Sequence, residues 1–492
     1  MIYNFNLGIG WASSGVEYAQ AYRVKMLRSI GADATFIFTD MFIHENIEHM
    51  TKNIGFLDSE VEWLYTFFTD FKIAPVTYTL SDFEKTIPDS SYEFSRNGKI
   101  CRYTFKDKNN FYNVYMVDEK NDKVHRVEYV SSGMLIRKDF FTYGRIFTEY
   151  YAPFDNKAHL YQRRFYNTDG SVAYEEIIDD EFVMYKFKDK VLYSKEELIG
   201  YMVSLLNVTE KDTVIIDRST MLGQPILQNC KPAKVGIVVH ADHFSEKDTN
   251  EDTILWNNYY EYDFNMAKHI DFYICSTDAQ SDLLREQFKK YKNIEPKIYT
   301  IPVGGLNELK VPKEKRKPFS LITASRLASE KHVDWICKAV IKAHKVYPEI
   351  NLDIYGVGKE EEKLKEIIRD CKASDYIHLM GQQNLSEVYQ NYEAYIAGST
   401  SEGFGLSLME AVGGGLPIIG FDVRYGNPTF IRDGKNGFLL PLPKEEKDKI
   451  QALCDGVIRL FKMDMDQVHE ESYKIAKEFL TSEVQKRWEK VV

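Results

Sequence analysis

At 401–411 the chain reads Ser-Glu-Gly-Phe-Gly-Leu-Ser-Leu-Met-Glu-Ala, and 413–417 adds Gly-Gly-Gly-Leu-Pro. Glu402 and Glu410 stand eight residues apart across a turn flanked by Gly403 and Gly405. The spacing predicts that Glu402 sits on a loop and Glu410 about two turns into the following helix, both facing one pocket. Upstream, 394–397 is a short apolar run ending in small polar residues, the pattern of a buried parallel strand that feeds a ligand loop. A helix start at 404–408 then presents free N–H groups above the strand ends, which suits a diphosphate.

A chain of 492 residues, 44% hydrophobic, has material for two or three domains with sizeable cores. It contains no run of about 18 uncharged apolar residues, and residues 1–5 lack the basic region and apolar core of a secretory signal, so a cytoplasmic protein is expected. The six cysteines, Cys101, Cys230, Cys275, Cys337, Cys371 and Cys454, have no short paired spacing. They read as reduced core or near-core residues rather than a disulfide framework or zinc site. A net charge of −11 argues against nucleic acid as a partner.

Residues 2–9 predict a strand, Gly8, Gly10 and Gly15 the turn after it, and about 16–30 an amphipathic helix, the first unit of a Rossmann-like domain. From about 75 to 195 alternating Tyr, Phe, Val and Ile runs are broken by turn signals at 96–98, 107–110, 119–122 and 168–170, which predicts an inserted antiparallel β-rich domain. Helix–strand alternation then resumes, with strands at 213–217, 234–240, 272–276 and 297–302. A Lys- and Pro-rich passage at 310–318 marks the clearest boundary, followed by strands at 319–324, 351–355, 376–380, 394–397 and 416–420. The expected division is 1–305, an acceptor-side Rossmann-like domain carrying the insertion; 306–475, a nucleotide-sugar-binding Rossmann-like domain; and 476–492, a helix crossing back to the first. Two such domains leave a cleft lined by the carboxyl ends of both sheets, where substrate is expected.

Arg326 and Lys331 follow the first strand after the linker and have the chemistry of a diphosphate clamp, although a charged surface turn has the same composition. An anion clamp, a helix N-terminus and two carboxylates able to accept sugar hydroxyls together describe a nucleotide-sugar site. Asp464 and Asp466 have metal-pair spacing but fall at a helix start, where capping explains them, and Asp179, Asp180 and Glu181 lie in the insertion away from any phosphate signal. No metal ligand set is read from the chain.

With these residues in place, the chain resembles the retaining family 4 glycosyltransferases of GT-B fold. More narrowly, residues 6–18 (NLGIGWASSGVEY) and the aromatic insertion resemble the catalytic A subunits of accessory-secretion O-linked N-acetylglucosaminyltransferases of Gram-positive bacteria. The resemblance implies roles for individual positions. Arg326 and Lys331 would bind the donor diphosphate, Glu410 the ribose hydroxyls, and Glu402 with the N–H groups of Gly403, Phe404, Gly405 and Leu406 the sugar and phosphate. Gln382 and Gln383 follow a strand end where such enzymes meet uracil, though an amide-rich turn would look alike. His240, at the end of the strand 234–240, would stand near the donor sugar, and Gly15, Val16, Glu17 and Tyr18 would bring N–H groups to the donor phosphate. Arg326, Lys331, Glu402 and His240 are the candidate catalytic set; His243 and His332 read as structural.

The implied reaction is transfer of GlcNAc from UDP-GlcNAc to Ser or Thr of a serine-rich repeat surface protein before its export, with retention and without a cofactor or metal. Implied partners are that acceptor and a related non-catalytic B subunit contacting the insertion, and peripheral attachment to the inner face of the membrane is a further expectation. For any single Tyr of the insertion, as in 111–115 or 141–143, core filling competes with partner contact. Two rivals are a teichoic-acid GlcNAc or glucose transferase of the same fold and a non-catalytic binding partner that has kept the fold.

Overall fold

The computed structural model describes residues 1–9, 15–88, 91–155 and 157–492, so the turn residues 10–14 singled out above lie outside the described residues. The chain forms two compact units, one of 1–238 with 258–271, the other of 239–257 with 272–492.

The first unit opens with the expected strand and helix, Ile2–Asn6 and Gly15–Ser29. The strands Ile2–Asn6, Ala34–Phe38, Val61–Trp63, Thr213–Ile216 and Lys234–Val239 make parallel pairs, with Ile2–Asn6 between Thr213–Ile216 and Ala34–Phe38. Their packing is partly polar. Arg23, from the helix Gly15–Ser29, donates to both carboxylate oxygens of Asp217 at 2.7 and 2.8 Å and to Asn4 at 3.0 Å, with Arg23 and Asp217 almost wholly buried. A buried bidentate pair of this kind fixes the helix azimuth more than it stabilises the fold, because desolvation offsets most of the attraction.

The insertion is a ten-stranded antiparallel sheet in strictly sequential order, from Tyr92–Asn97 to Val191–Leu192. All four sequence-predicted turns are hairpin loops. A buried core that includes Val114, Val124 and Val127 is joined in the sheet by aromatic stacking and cross-strand ion pairs. Phe165 stacks on Tyr174 at 4.5 Å and Tyr174 on Phe187 at 4.9 Å, while the Tyr174 hydroxyl donates to the Tyr65 carbonyl at 2.8 Å and joins the sheet to the Rossmann-like layer. Arg163 pairs with Glu149 at 3.0 Å and Glu176 at 2.8 Å, its opposite neighbours on the two flanking strands. Opposite charges directly across a sheet add to the stability of the register they face in. The Phe141 ring is buried against Tyr78 at 4.2 Å, whereas Tyr143 is exposed, and Phe154 and Phe182 near hairpin ends are 70% and 79% exposed.

The second unit contains a six-stranded parallel sheet in the order Ile377–Gly381, Asn351–Tyr355, Ser320–Ala324, Ala394–Ile396, Ile418–Phe421, Gly437–Leu440. The chain starts in the middle, runs outward through two strands, then returns to the other side. The reversal puts a topological switch point between Ser320–Ala324 and Ala394–Ile396, the place where open α/β sheets bind ligands. Both faces of the sheet are buried: Leu321 packs with Ile336 and Val340 on one side, Ile322 with Tyr395 and Leu408 on the other. The last strand, Gly437–Leu440, was not anticipated, because its Gly-Phe-Leu-Leu run is too short to separate from a loop.

The passage 310–318 is anchored. Arg316 donates to the carbonyls of Gln390 and Tyr392 at 2.8 Å and of Gly414 at 2.7 Å, so a segment that reads as a linker is tied to the second unit. The C-terminal segment returns to the strand Ile298–Thr300, where Arg487 donates to the Thr300 carbonyl at 3.3 Å and Tyr299 to the Lys490 carbonyl at 3.1 Å. Five cysteines are buried and free; Cys371 differs from the core expectation and is exposed at a helix end. Among the described residues no helix is long and apolar enough to cross a membrane.

Candidate functional site

The site grows from two loops that leave adjacent strands of the second unit at the switch point. The first follows Ser320–Ala324. Its backbone is held by Ser325 N–H to the Tyr355 carbonyl at 3.1 Å and Leu327 N–H to the Val357 carbonyl at 3.0 Å. The neighbouring segment can come so close only because residue 356 is glycine: with φ of +128°, a Cβ there would lie 1.9 Å from the Ser325 carbonyl oxygen. Sequence reasoning missed this Gly356-Val357-Gly358 crossing, although two glycines straight after a buried strand were a legible signal.

The second loop follows Ala394–Ile396. Its helix is Leu406–Gly413, and Gly405 caps it with φ of +86°. Phe404 therefore stays in the loop, and Glu410 stands about one turn into the helix rather than the two expected. Tyr395 links the two loops from beneath, because its buried hydroxyl lies 2.9 Å from the Ala324 carbonyl and 3.1 Å from Ser407 Oγ.

At the surface of this junction Lys331 Nζ meets Glu402 Oε2 at 2.6 Å, each side chain about one-fifth exposed (20% and 18%). Two motifs 71 residues apart in the chain thus share one ion pair. Arg326 is placed differently: it is 78% exposed and pairs with Glu330 at 3.2 Å. The two cations of the expected clamp do not share a partner here.

The Glu402 main chain is held by the loop after Ile418–Phe421: its N–H donates to the Arg424 carbonyl at 3.0 Å, and its carbonyl accepts from Gly426 N–H at 2.7 Å. Segment 239–257 packs on the same place. The His240 carbonyl lies 3.0 Å from where a Gly403 side chain would begin, and Arg424 pairs with Glu246 at 3.0 Å. Beneath it, wholly buried His243 bonds Gln287 Oε1 through Nε2 at 2.7 Å and the Tyr425 hydroxyl through Nδ1 at 3.2 Å.

Burial, opposed by the Gln287 hydrogen bond, lowers the His243 pKa to about 4. The unfolded value is about 6.5, so its contribution to stability is complete above pH 6.5 and is lost as the pH falls towards 4. Denaturant melts at pH 5 should show about 2 kcal/mol less from this residue than at pH 7. His243→Gln should shrink the pH 7 to pH 5 difference, and an unchanged difference would remove His243 from the account.

Glu410 is largely buried, which raises its pKa, and its Oε2 accepts from the Tyr389 hydroxyl at 3.1 Å. Gln382 and Gln383 are exposed on the turn after Ile377–Gly381, and the Gln383 amide donates to the Met380 carbonyl at 2.9 Å. Gly15, Val16, Glu17 and Tyr18 form the first turn of Gly15–Ser29 in the first unit; Val16 and Glu17 are buried and Tyr18 is half-exposed. His332 stacks on Trp335 at 3.5 Å at the start of the helix Val333–His344, and Asp464 caps Met465–Lys477 by accepting from Gln467 N–H. Among the described residues no cluster of three or more His, Cys, Asp or Glu could hold a metal.

A family described as "Glycosyl transferases group 1" matches residues 307–477, the sheet with the switch point, and one described as "GtfA extended beta-sheet domain" matches 93–189, the ten-stranded sheet. The GtfA subunit of UDP-N-acetylglucosamine–peptide N-acetylglucosaminyltransferase from Streptococcus agalactiae is 53% identical over 99% of this chain and 97% of its own. The chain belongs to the GtfA subunit family. Its GT-B architecture follows. The crystal structure of the pneumococcal O-GlcNAc transferase GtfA in complex with UDP and GlcNAc matches with a TM-score of 0.91 at 50% identity, covering 100% of this chain and 98% of that one. A GtfA/B complex matches with a TM-score of 0.96 at 51% identity and the same coverage. Teichoic-acid enzymes are more distant than these GtfA relatives: the poly(ribitol-phosphate) α-N-acetylglucosaminyltransferase of Staphylococcus aureus (strain COL) is 25% identical over 64% of this chain and 65% of its own.

Proposed function

We propose that this chain is a retaining glycosyltransferase that moves GlcNAc from UDP-GlcNAc to Ser or Thr hydroxyls of a serine-rich repeat surface polypeptide, on the cytoplasmic side and before export. The observation that supports the donor half of this reading is the Lys331–Glu402 pair at the switch point, a cation and a carboxylate set beside a helix start. Lys331 and the N–H groups of Phe404 to Leu406 would receive the diphosphate, and entry of the donor would give Lys331 a second anion to bridge. Arg326, with its side chain in solvent, would swing onto the outer phosphate. Glu402 would take sugar hydroxyls and Glu410 the ribose.

The chemistry asked of the protein is then positioning and stabilisation of charge on the leaving UDP. On a front-face path the departing phosphate oxygen takes the acceptor proton as the anomeric bond breaks. His240, whose backbone abuts Gly403, would lie beside the sugar. Lys331 and Arg326 would supply the positive charge, so the reaction is read as metal-independent. A related B subunit, as in the GtfA/B complex, would assemble with the insertion, where exposed Phe154 and Phe182 offer anchors of the kind interfaces favour.

The test is to incubate the protein with UDP-GlcNAc or UDP-Glc and a Ser/Thr-rich peptide, with and without a B subunit, and to record UDP release and peptide mass. Gain of HexNAc units that is unaffected by EDTA and absent in Glu402→Ala is expected. UDP release without peptide gain, even with the B subunit present, would point to another acceptor such as teichoic acid, and no turnover of either donor would refute catalysis.

A further inference from the structure

Tyr389 opens the short turn Tyr389–Asn391 just before the strand Ala394–Ile396, and it is only 4% exposed. Its Cβ lies 2.9 Å from where a side chain at Gly414 would begin, which sets the residue against the end of the helix Leu406–Gly413. From there its hydroxyl reaches one turn back to Oε2 of Glu410 at 3.1 Å. A carboxylate offers about four lone-pair directions. Oε1 of Glu410 accepts no hydrogen bond from the described residues. In a largely buried carboxylate with one neutral protein donor, the second oxygen is left open to solvent or a ligand, and burial, opposed by the Tyr389 hydrogen bond, raises the pKa. Two vicinal hydroxyls are the ligand chemistry that completes such a group, since each donates one hydrogen bond to an oxygen held in a fixed rotamer.

We infer that Tyr389 is a positioning residue that orients Glu410 towards ribose hydroxyls and thereby sets the preference of this site for ribonucleoside over deoxyribonucleoside diphosphate donors. The inference rests on the reading of Glu410 as the ribose contact. With the Tyr389 hydroxyl in place one carboxylate oxygen is anchored and the other is aimed. Without it the side chain samples other rotamers, and each donor molecule must order it on binding.

The experiment compares UDP release from UDP-GlcNAc and from its 2′-deoxy- and 3′-deoxyuridine counterparts in the wild-type protein, Tyr389→Phe and Glu410→Ala, with thermal melts confirming that each variant is folded. The wild-type protein should prefer the ribonucleotide by about tenfold or more in kcat/KM, the value of a lost hydrogen bond to a charged group. Tyr389→Phe should raise KM for UDP-GlcNAc about fivefold, leave kcat within about twofold, and shrink the ribose preference. A general packing defect would lower turnover of all three donors alike. If Tyr389→Phe keeps the full preference while Glu410→Ala loses it, the role of Tyr389 is overturned and the ribose contact stands. If Glu410→Ala also keeps it, the ribose contact fails and the inference with it. Tyr389→Leu, which keeps apolar filling without the hydroxyl, provides the same comparison if the Phe variant does not fold.

Discussion

Lys331→Ala is expected to cut donor turnover about 100-fold, near the upper end of what one charge-assisted contact supplies. Two effects add. The variant loses the cation that would meet the leaving diphosphate, and it leaves Glu402, only 18% exposed, without the ammonium that now holds it at 2.6 Å. A donor carrying a diphosphate then approaches an unneutralised carboxylate. Arg326→Ala removes a side chain that is 78% exposed and paired with Glu330 on its own turn, so its loss should cost less, about tenfold. UDP release under saturating acceptor gives both numbers. Equal losses would mean that the two cations act as one clamp in the loaded site, and an inactive Arg326→Ala beside an active Lys331→Ala would reverse the assignment. Lys331→Arg should recover part of the loss, because the charge returns while the compact ammonium does not.

What could be read in the sequence was local and periodic. The segment 401–411 announced its own loop and helix, because glycines bracketing a carboxylate after an apolar run have few structural meanings. Hairpin turns around Gly98 and Gly170 were legible for the same reason: both adopt positive φ that their turn chemistry demands. The helix start was misplaced because Gly405 takes the left-handed conformation and holds Phe404 out of the helix, a choice that hydrophobic spacing does not encode. Partners distant in sequence were invisible. Nothing in 310–318 says that Arg316 will find three carbonyls from 390–414, and nothing near Glu410 names Tyr389 as its donor. The insertion showed the same limit from the other side. Its alternation predicted strands, but the ladder in which Arg163 bridges Glu149 and Glu176 appears only once the register is known.

Gly356→Ala should be strongly damaging for the addition of a single methyl. At φ of +128° an alanine is strained whatever surrounds it, and here its Cβ would fall 1.9 Å from the carbonyl oxygen and 3.0 Å from the carbonyl carbon of Ser325. Both atoms are backbone, so no rotamer change relieves the clash. Either the loop that begins at Ser325 moves or the crossing at 355–358 opens, and the hydrogen bonds from Ser325 N–H to Tyr355 and from Leu327 N–H to Val357 go with it. Strain together with overpacking predicts a loss of at least about 3 kcal/mol in denaturant melts. Because Lys331 lies at the far end of the same loop, and Glu402 depends on where Lys331 stands, donor turnover should fall by more than the stability loss alone explains under conditions where the variant is still folded. Gly434→Ala is the control: its φ is +71°, but nothing lies within 4 Å of the added carbon. It should cost about 1 kcal/mol and leave turnover intact. A folded Gly356→Ala protein with wild-type UDP release would mean that the 325–331 loop tolerates displacement, and that Lys331 need not be held where the structure holds it for diphosphate to leave.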